Sequence, residues 1–396
     1  MKIINKHYKQ IKTAIRKHKL ADHYFVSKYS FSPYMACEHG CKYCDGRAEK
    51  YYVEGDYEKD IVIRKNLPEI LEKELSKLRE KGVIFIGSGI SDAYQPVEKD
   101  ELIMRRCAEI LSESNFAVTV LTKSSLILRD LDIWKKVHQK NGFVLMMSLT
   151  FIDDELRNIF EPGASSVQER IKTLKIFKSA GIPIGVAAMP FLPFINDSEK
   201  HITDFLKIMK EIDVDFIMPA SLTLRPGKQK ETYLKIIVKY FPELVSKYEN
   251  LYYKNLQSGM PLCSYRNKFY HLINRKILEK NIPAFQPHFI YKNKLPLYDE
   301  ILILMNHLCE LYENRNVDIK RLRKSLDFYT KWLIDEKTFF NLRRNLTHKH
   351  LESKLIEMIN SEEFLQIIKN GKLFEFLKKI VIDRKTFDYR ILRIVD

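Results

Sequence analysis

The sequence predicts an α/β fold, a parallel sheet covered by helices and followed by a mainly helical C-terminal segment. Two patterns carry that reading. Short runs that are apolar on both faces alternate with amphipathic stretches up to about residue 225, as in a sheet buried between helices. Twelve of the 13 glycines precede position 260 and no proline follows Pro296, so turn chemistry is confined to the first two thirds.

Taken in order, a first strand is expected over residues 31–36 and a second over 83–87, followed by a helical pattern over 98–112. Residues 117–122 read as a strand and 126–137 as a helix; residues 143–150 and 166–180 repeat the pair. Strands over 182–191 and 216–221 flank a helix near 198–211. About six βα units fit, which suits an incomplete barrel or a doubly wound sheet, and periodicity alone does not choose between them. In either, chemistry gathers at the C-terminal ends of the strands.

Charge divides the chain differently. Lys and Arg number 67 against 51 Asp and Glu, a net +16. Residues 1–28 carry +7 and 261–396 carry +9, leaving a neutral body between. The expected organisation is therefore a basic N-terminal arm (1–28), an α/β body (29–258) and a basic helical region (261–396). Basic ends attract anions such as nucleic acid or a membrane surface. No run of eighteen apolar residues exists and no apolar leader follows the basic N-terminus, so a cytoplasmic protein that does not enter the membrane is expected. Ile4, Tyr8, Ile11 and Ile15 recur at helical spacing, predicting an amphipathic helix in the arm. In the C-terminal region, Arg321, Arg323, Lys324, Arg343 and Arg344 lie near Tyr329, Trp332, Phe339 and Phe340. Such a mixture is found both in base-stacking surfaces and in helix cores.

Three of the six cysteines fall within eight residues, as Cys37-Glu-His-Gly-Cys41-Lys-Tyr-Cys44. Reduced thiols so close point to a metal site. A structural zinc needs a fourth ligand, which His39 or Cys263 would have to supply. An iron–sulfur cube can be held by three thiolates with one iron left open.

The C-x3-C-x2-C loop after a first strand resembles the radical S-adenosylmethionine (SAM) superfamily. Ser32-Pro33-Tyr34, the string from Ser91 to Glu98 (S-D-A-Y-Q-P-V-E), Leu121-Thr122-Lys123-Ser124 and Ser148-Leu149-Thr150 bring it closer to the spore photoproduct lyase-like, "DNA repair photolyase" branch. Glu161-Pro162, Arg170, the segment from Gly181 to Val186, and Asn196-Asp197 complete the match, over roughly residues 30–245. The resemblance implies a partial (β/α)6 barrel with a [4Fe-4S] cluster on Cys37, Cys41 and Cys44 and SAM at its open iron. It implies SAM contacts at Ser91, Asp92, Lys123 and Ser148, with residues 185–189 beside the adenine, and puts Tyr43 next to the cofactor in a catalytic role. It also implies a reducing partner such as flavodoxin or ferredoxin.

Two positions depart from the branch. Gly89 stands where spore photoproduct lyase has its hydrogen-donating cysteine, and Asp45 follows the third cysteine where an aromatic is common. A sister activity on an anionic substrate such as DNA or RNA is expected. The alternatives are a radical SAM enzyme acting on a peptide or protein, and a zinc-stabilised nucleic-acid-binding module.

Overall fold

The computed structural model of the protein describes residues 3–87, 90–342 and 348–396, those of 340–342 as backbone only. The N-terminal strands are β1 (Asn5–Lys9), β2 (Arg16–Asp22), β3 (Ser27–Phe31) and β4 (Tyr34–Met35). Next come β5 (Asp60–Arg64), α1 (Leu67–Leu75), β6 (Val83–Ile86), α2 (Glu98–Glu101) and α3 (Ile103–Glu113). The alternation continues with β7 (Ala117–Thr122), α4 (Leu131–Lys140), β8 (Phe143–Ser148), α5 (Asp154–Phe160) and α6 (Val167–Ser179). It closes with β9 (Ile184–Phe191), α7 (Glu199–Ile212), β10 (Phe216–Ser221), α8 (Lys228–Tyr240) and α9 (Val245–Leu251).

Strands β3, β6, β7, β8, β9 and β10 lie side by side in chain order, all parallel, with β2 antiparallel on the β3 edge. A doubly wound sheet would reverse its order at a switch point. This one never reverses, so the architecture is the partial barrel.

The pleat sorts the strand side chains. Phe85, Val144, Met146, Ala187, Phe216 and Met218 form a separate apolar cluster, joined by Leu121 and Met189. Their neighbours Ile84, Ile86, Val120, Leu145, Met147, Val186 and Ile217 belong to the main core with the helices. Period-two alternation thus gives each strand one face toward the helices and one toward the barrel interior. At Gly185 an added Cβ would lie 2.2 Å from the Phe216 ring, so only glycine lets that ring fill the interior.

The N-terminal segment forms strands where its spacing predicts a helix. β1 pairs in parallel with β5, Asn5 opposite Asp60, and all five of its side chains are exposed. An open strand edge offers a ladder of backbone hydrogen bonds, which outweighs a weak amphipathic pattern. The arm also meets acids of the body: Lys6 and Tyr8 bond Glu101 at 2.9 and 3.0 Å, Lys17 pairs with Glu80, and Glu74 accepts from the Ala14 and Ile15 amides. Part of its positive charge, that of Lys6, Lys17 and Lys28, is therefore matched within the chain.

The C-terminal region holds α10 (Cys263–Glu279), α11 (His288–Tyr291), α12 (Leu297–Glu313), α13 (Lys320–Leu342), α14 (His348–Asn360), α15 (Glu363–Ile368) and α16 (Gly371–Val381). A hairpin of β11 (Thr386–Asp388) and β12 (Arg393–Val395) ends it. Tyr329 is fully buried, its ring 5.7 Å from the half-buried Trp332 and 5.6 Å from Phe364, so these rings pack in the core, whereas Phe339 is exposed. Arg343, Arg344 and the Phe340 side chain lie outside the described residues. At the junction with the barrel, Asp299 is completely buried between two lysines, Lys28 at 2.6 Å and Lys337 at 3.1 Å. Among the described residues no helix is long and apolar enough to cross a membrane.

Candidate functional site

The cysteine loop leaves β4 through Ala36 and turns at Gly40, both in the left-handed region. Backbone bonds shape it, among them Cys37 N to Tyr57 O, Gly40 N to Cys37 O, Lys42 N to Phe160 O, Cys44 N to Cys41 O and Gly163 N to His39 O. A side chain at Gly40 would combine positive φ with a Cβ 2.8 Å from a Glu58 oxygen. Glu58 is held by Lys42 at 2.7 Å and by Arg47, and these cations overcome its burial and lower its pKa to about 2. Arg47 also donates to the Cys41 carbonyl at 2.9 Å. The Cys44 sulfur lies 3.1 Å from the Tyr57 hydroxyl.

The string from Ser91 to Glu98 is the loop's scaffold. Ser91 Oγ donates to the Tyr34 carbonyl at 2.8 Å and shares a second contact of 2.8 Å with Ser32 Oγ. Gln95 clamps the start of the cysteine loop, accepting from Glu38 N at 2.8 Å and donating to Ala36 O at 3.2 Å. Glu98 accepts from the Tyr34 hydroxyl, from Met104 N and from Arg129. Asp92, expected at the SAM polar groups, has both oxygens engaged by the chain: Thr122 Oγ1 at 2.7 Å, Tyr94 N at 2.8 Å and Lys123 N at 2.7 Å. It thereby holds the backbone that carries Lys123. Gly89 lies outside the described residues.

Lys123, just past β7, donates to Ser148 Oγ at 2.8 Å and lies 5.8 Å from the Tyr43 ring centre. The Tyr43 hydroxyl donates to Glu161, and Glu161 pairs with Arg170 at 2.5 Å, both fully buried. Arg170 also donates to the Ser148 carbonyl at 3.0 Å. Tyr43, Lys123, Ser148, Glu161 and Arg170 thus form one connected polar group beside the cysteines. Burial would neutralise the Lys123 ammonium, yet Cys41 and Glu161 outweigh it and raise the pKa. Burial likewise opposes ionisation of Glu161, and Arg170 and Lys123 reverse that effect. Glu161 and Arg170 stand in the matching strings, but sequence spacing gave no sign that they pair. Nothing in the sequence marked Gln229, whose amide donates to the Tyr43 carbonyl at 2.9 Å, or Arg225, which pairs with Asp45 at 2.6 Å.

Cys37 and Cys41 are buried and Cys44 is partly exposed. Burial pushes the Cys37 thiol well up and Cys41 to about 12, although Lys123 and Arg170 pull Cys41 down. Such thiols ionise only with a cation to share the charge. Among the described residues no three His, Cys, Asp or Glu side chains are arranged to hold a single metal ion. His39 is buried 3.5 Å from Asp92, its pKa lowered to about 4 chiefly by burial, and Cys263 is exposed at the start of α10. The Thr150 hydroxyl, on the inward parity of Ser148, is buried with no hydrogen-bond partner among the described residues.

Residues 31–206 match the radical SAM superfamily. An uncharacterized protein of Mycobacterium tuberculosis (strain ATCC 25618 / H37Rv) is 27% identical over 230 residues, covering 57% of this chain and 67% of the relative. An uncharacterized protein of Methanocaldococcus jannaschii is 31% identical over 174 residues, covering 44% and 64%. Among solved structures, spore photoproduct lyase complexed with dinucleoside spore photoproduct superposes with a TM-score of 0.51 at 14% identity, covering 70% of this chain and 80% of that one. At that identity the likeness is one of fold. With the monotonic strand order and the cysteine loop at the strand ends, these matches give residues 31–206 a radical SAM domain, on a barrel like that of spore photoproduct lyase.

Proposed function

We propose that the chain is a radical SAM enzyme acting on nucleic acid, with Cys37, Cys41 and Cys44 holding a [4Fe-4S] cluster. The observation that carries this reading is the placement of three thiols in one loop beside a buried group of balanced charges. The donor set suits the cluster: three thiolates need a shared cation, and one coordination position stays open for SAM. When bound, the cluster and SAM would supply one-electron radical chemistry that removes hydrogen from a substrate, with the electron drawn from an external reductant.

The chain's own part is to bind, orient and exclude water. Lys123 offers a point positive charge for the SAM carboxylate, and Asp92 fixes its backbone. Ser148 and Thr150 offer hydroxyls to the ribose side. Tyr43 is held by Glu161 with its ring 5.8 Å from the Lys123 ammonium. The interior methionines and phenylalanines keep water from the barrel side of the site.

The test is 5′-deoxyadenosine production by anaerobically reconstituted protein with SAM, reductant and oligonucleotide. Production without iron, or none with a full complement of iron, removes the reading. Gly163 gives an independent check. A Cβ there would lie 2.4 Å from the Glu38 carbonyl oxygen and 2.9 Å from His39 Cα, against the cysteine loop itself. Gly163→Ala is expected to cost about 1–3 kcal/mol by overpacking and to lower iron per chain while circular dichroism stays native. Unchanged iron would show that the loop's position does not govern loading.

A further inference from the structure

A further stretch of positive charge straddles the boundary between the neutral body and the basic C-terminal region. Between residues 222 and 271, past the last barrel strand, nine Lys and Arg face three Asp and Glu, a net +6. Of the N-terminal basic residues, Lys6, Lys17 and Lys28 pair with acids elsewhere in the chain. The segment 222–271 folds back onto the mouth. Leu224 N bonds Gly259 O at 2.7 Å, Arg225 bonds the Gln257 carbonyl at 2.6 Å, and Arg225 also pairs with Asp45, next to Cys44.

On this rim, apolar and aromatic side chains stand in solvent. Tyr253 is 64% exposed, Phe194 42% and Met260 41%. Each aromatic has a lysine near its ring, Lys254 at 5.9 Å from Tyr253 and Lys247 at 5.7 Å from Phe194. Phe194 has φ of 66°, a left-handed conformation costly for a bulky residue. The turn is pinned by Asp197, whose carboxylate accepts from Phe194 N at 2.8 Å and from the Tyr265 hydroxyl at 2.6 Å. A strained turn that holds an aromatic ring outward beside cations matches what stacks bases while lysines meet phosphates.

We propose that the rim formed by Phe194, Lys247, Tyr253, Lys254, Met260 and Arg266 is a docking track for single-stranded nucleic acid, leading to the cysteine loop. The proposal rests on the nucleic-acid reading above and specifies its form and its place. An acidic peptide would use the lysines but has no planar bases to stack on the rings.

The experiment is fluorescence anisotropy of the full chain with a labelled oligothymidylate of about fifteen nucleotides, with polyglutamate as competitor. Tyr253→Ala is expected to weaken binding about tenfold, and Tyr253→Phe to restore it. Lys247→Ala with Lys254→Ala is expected to flatten the slope of log K against log salt by about 1.4. Lys372→Ala with Lys379→Ala, exposed on α16, should change nothing. Loss of binding in the α16 variant alone, with Tyr253→Ala unaffected, overturns this surface and leaves the nucleic-acid reading in place. Polyglutamate displacing the strand equally from wild type and Tyr253→Ala, with both binding it equally, overturns the stacking track in favour of a charge-only surface. No oligonucleotide binding by a chain that still produces 5′-deoxyadenosine overturns the track and the nucleic-acid reading together, while the radical chemistry stands.

Discussion

Cys41→Ala is expected to abolish iron loading and 5′-deoxyadenosine production together, to the level of a protein-free control. Cys41 is the central thiol of the loop and is buried, with its carbonyl tied to Arg47 and its thiol in the field of Lys123 and Arg170. Removing it leaves two thiols, too few to hold a cube with one open iron. The loss should not be one of folding: an alanine in place of a small buried thiol keeps the backbone turn that Gly40 and Gln95 impose. Cys263→Ala is the matched control, since that thiol is exposed at the start of α10, and it should retain both properties. Measured by iron analysis, ultraviolet–visible spectra and product assay, activity persisting in Cys41→Ala would sink the cluster assignment. One zinc per wild-type chain with no iron would favour the zinc-stabilised module instead.

Asp299→Ala is expected to destabilise the fold by about 3–5 kcal/mol, the usual result of removing one partner from a buried charge cluster. Asp299 joins three parts of the molecule. Its oxygens take Lys28 from β3 and Lys337 from α13, and it accepts from the Ala21 amide in β2 at 3.4 Å. Tyr298 beside it donates to Glu80 at 2.6 Å. Without the carboxylate, two ammonium groups remain buried, with Glu80 the acid that still acts on Lys28. Urea unfolding measures the loss. A change under about 1 kcal/mol, the size expected of a surface pair, would mean that the cluster does not hold the C-terminal helices to the barrel.

The same cluster sets a pH dependence. Burial and the neighbouring Lys28 ammonium lower Lys337 to about 8 against the attraction of Asp299, from an ordinary value of 10.5. Between those values the folded chain has released a proton that the unfolded chain still binds. Stability should therefore rise with pH across that window relative to a Lys337→Met variant, in which this contribution is absent. Parallel curves for the two proteins from pH 7.5 to 10 would remove the effect.

The candidate metal loop and the strand–helix alternation were legible without coordinates because both are local in sequence. Strands β7 and β10 fall on the expected residues, because each is an uninterrupted apolar run between breakers. Strand β5 and helix α1, between the first two expected strands, were not seen, since Asp60–Arg64 is short and becomes a strand by pairing with β1 and β4.

What the sequence by itself determined is therefore the local part: the alternation of elements, the helical C-terminal region and the spacing of Cys37, Cys41 and Cys44. The tertiary structure decided everything that depends on pairing. It decided the partial barrel over the doubly wound sheet, because strand order is a non-local property that periodicity does not encode. It made strands of the N-terminal arm, since the free edge of β5 was available to it. It joined Glu161 to Arg170 and Asp92 to the Lys123 backbone, and it set acids against Lys6, Lys17 and Lys28 of the arm while leaving the rim after β10 positive. A charge count along a chain cannot show which charges meet, because salt bridges and buried pairs form between residues far apart in sequence and near in space.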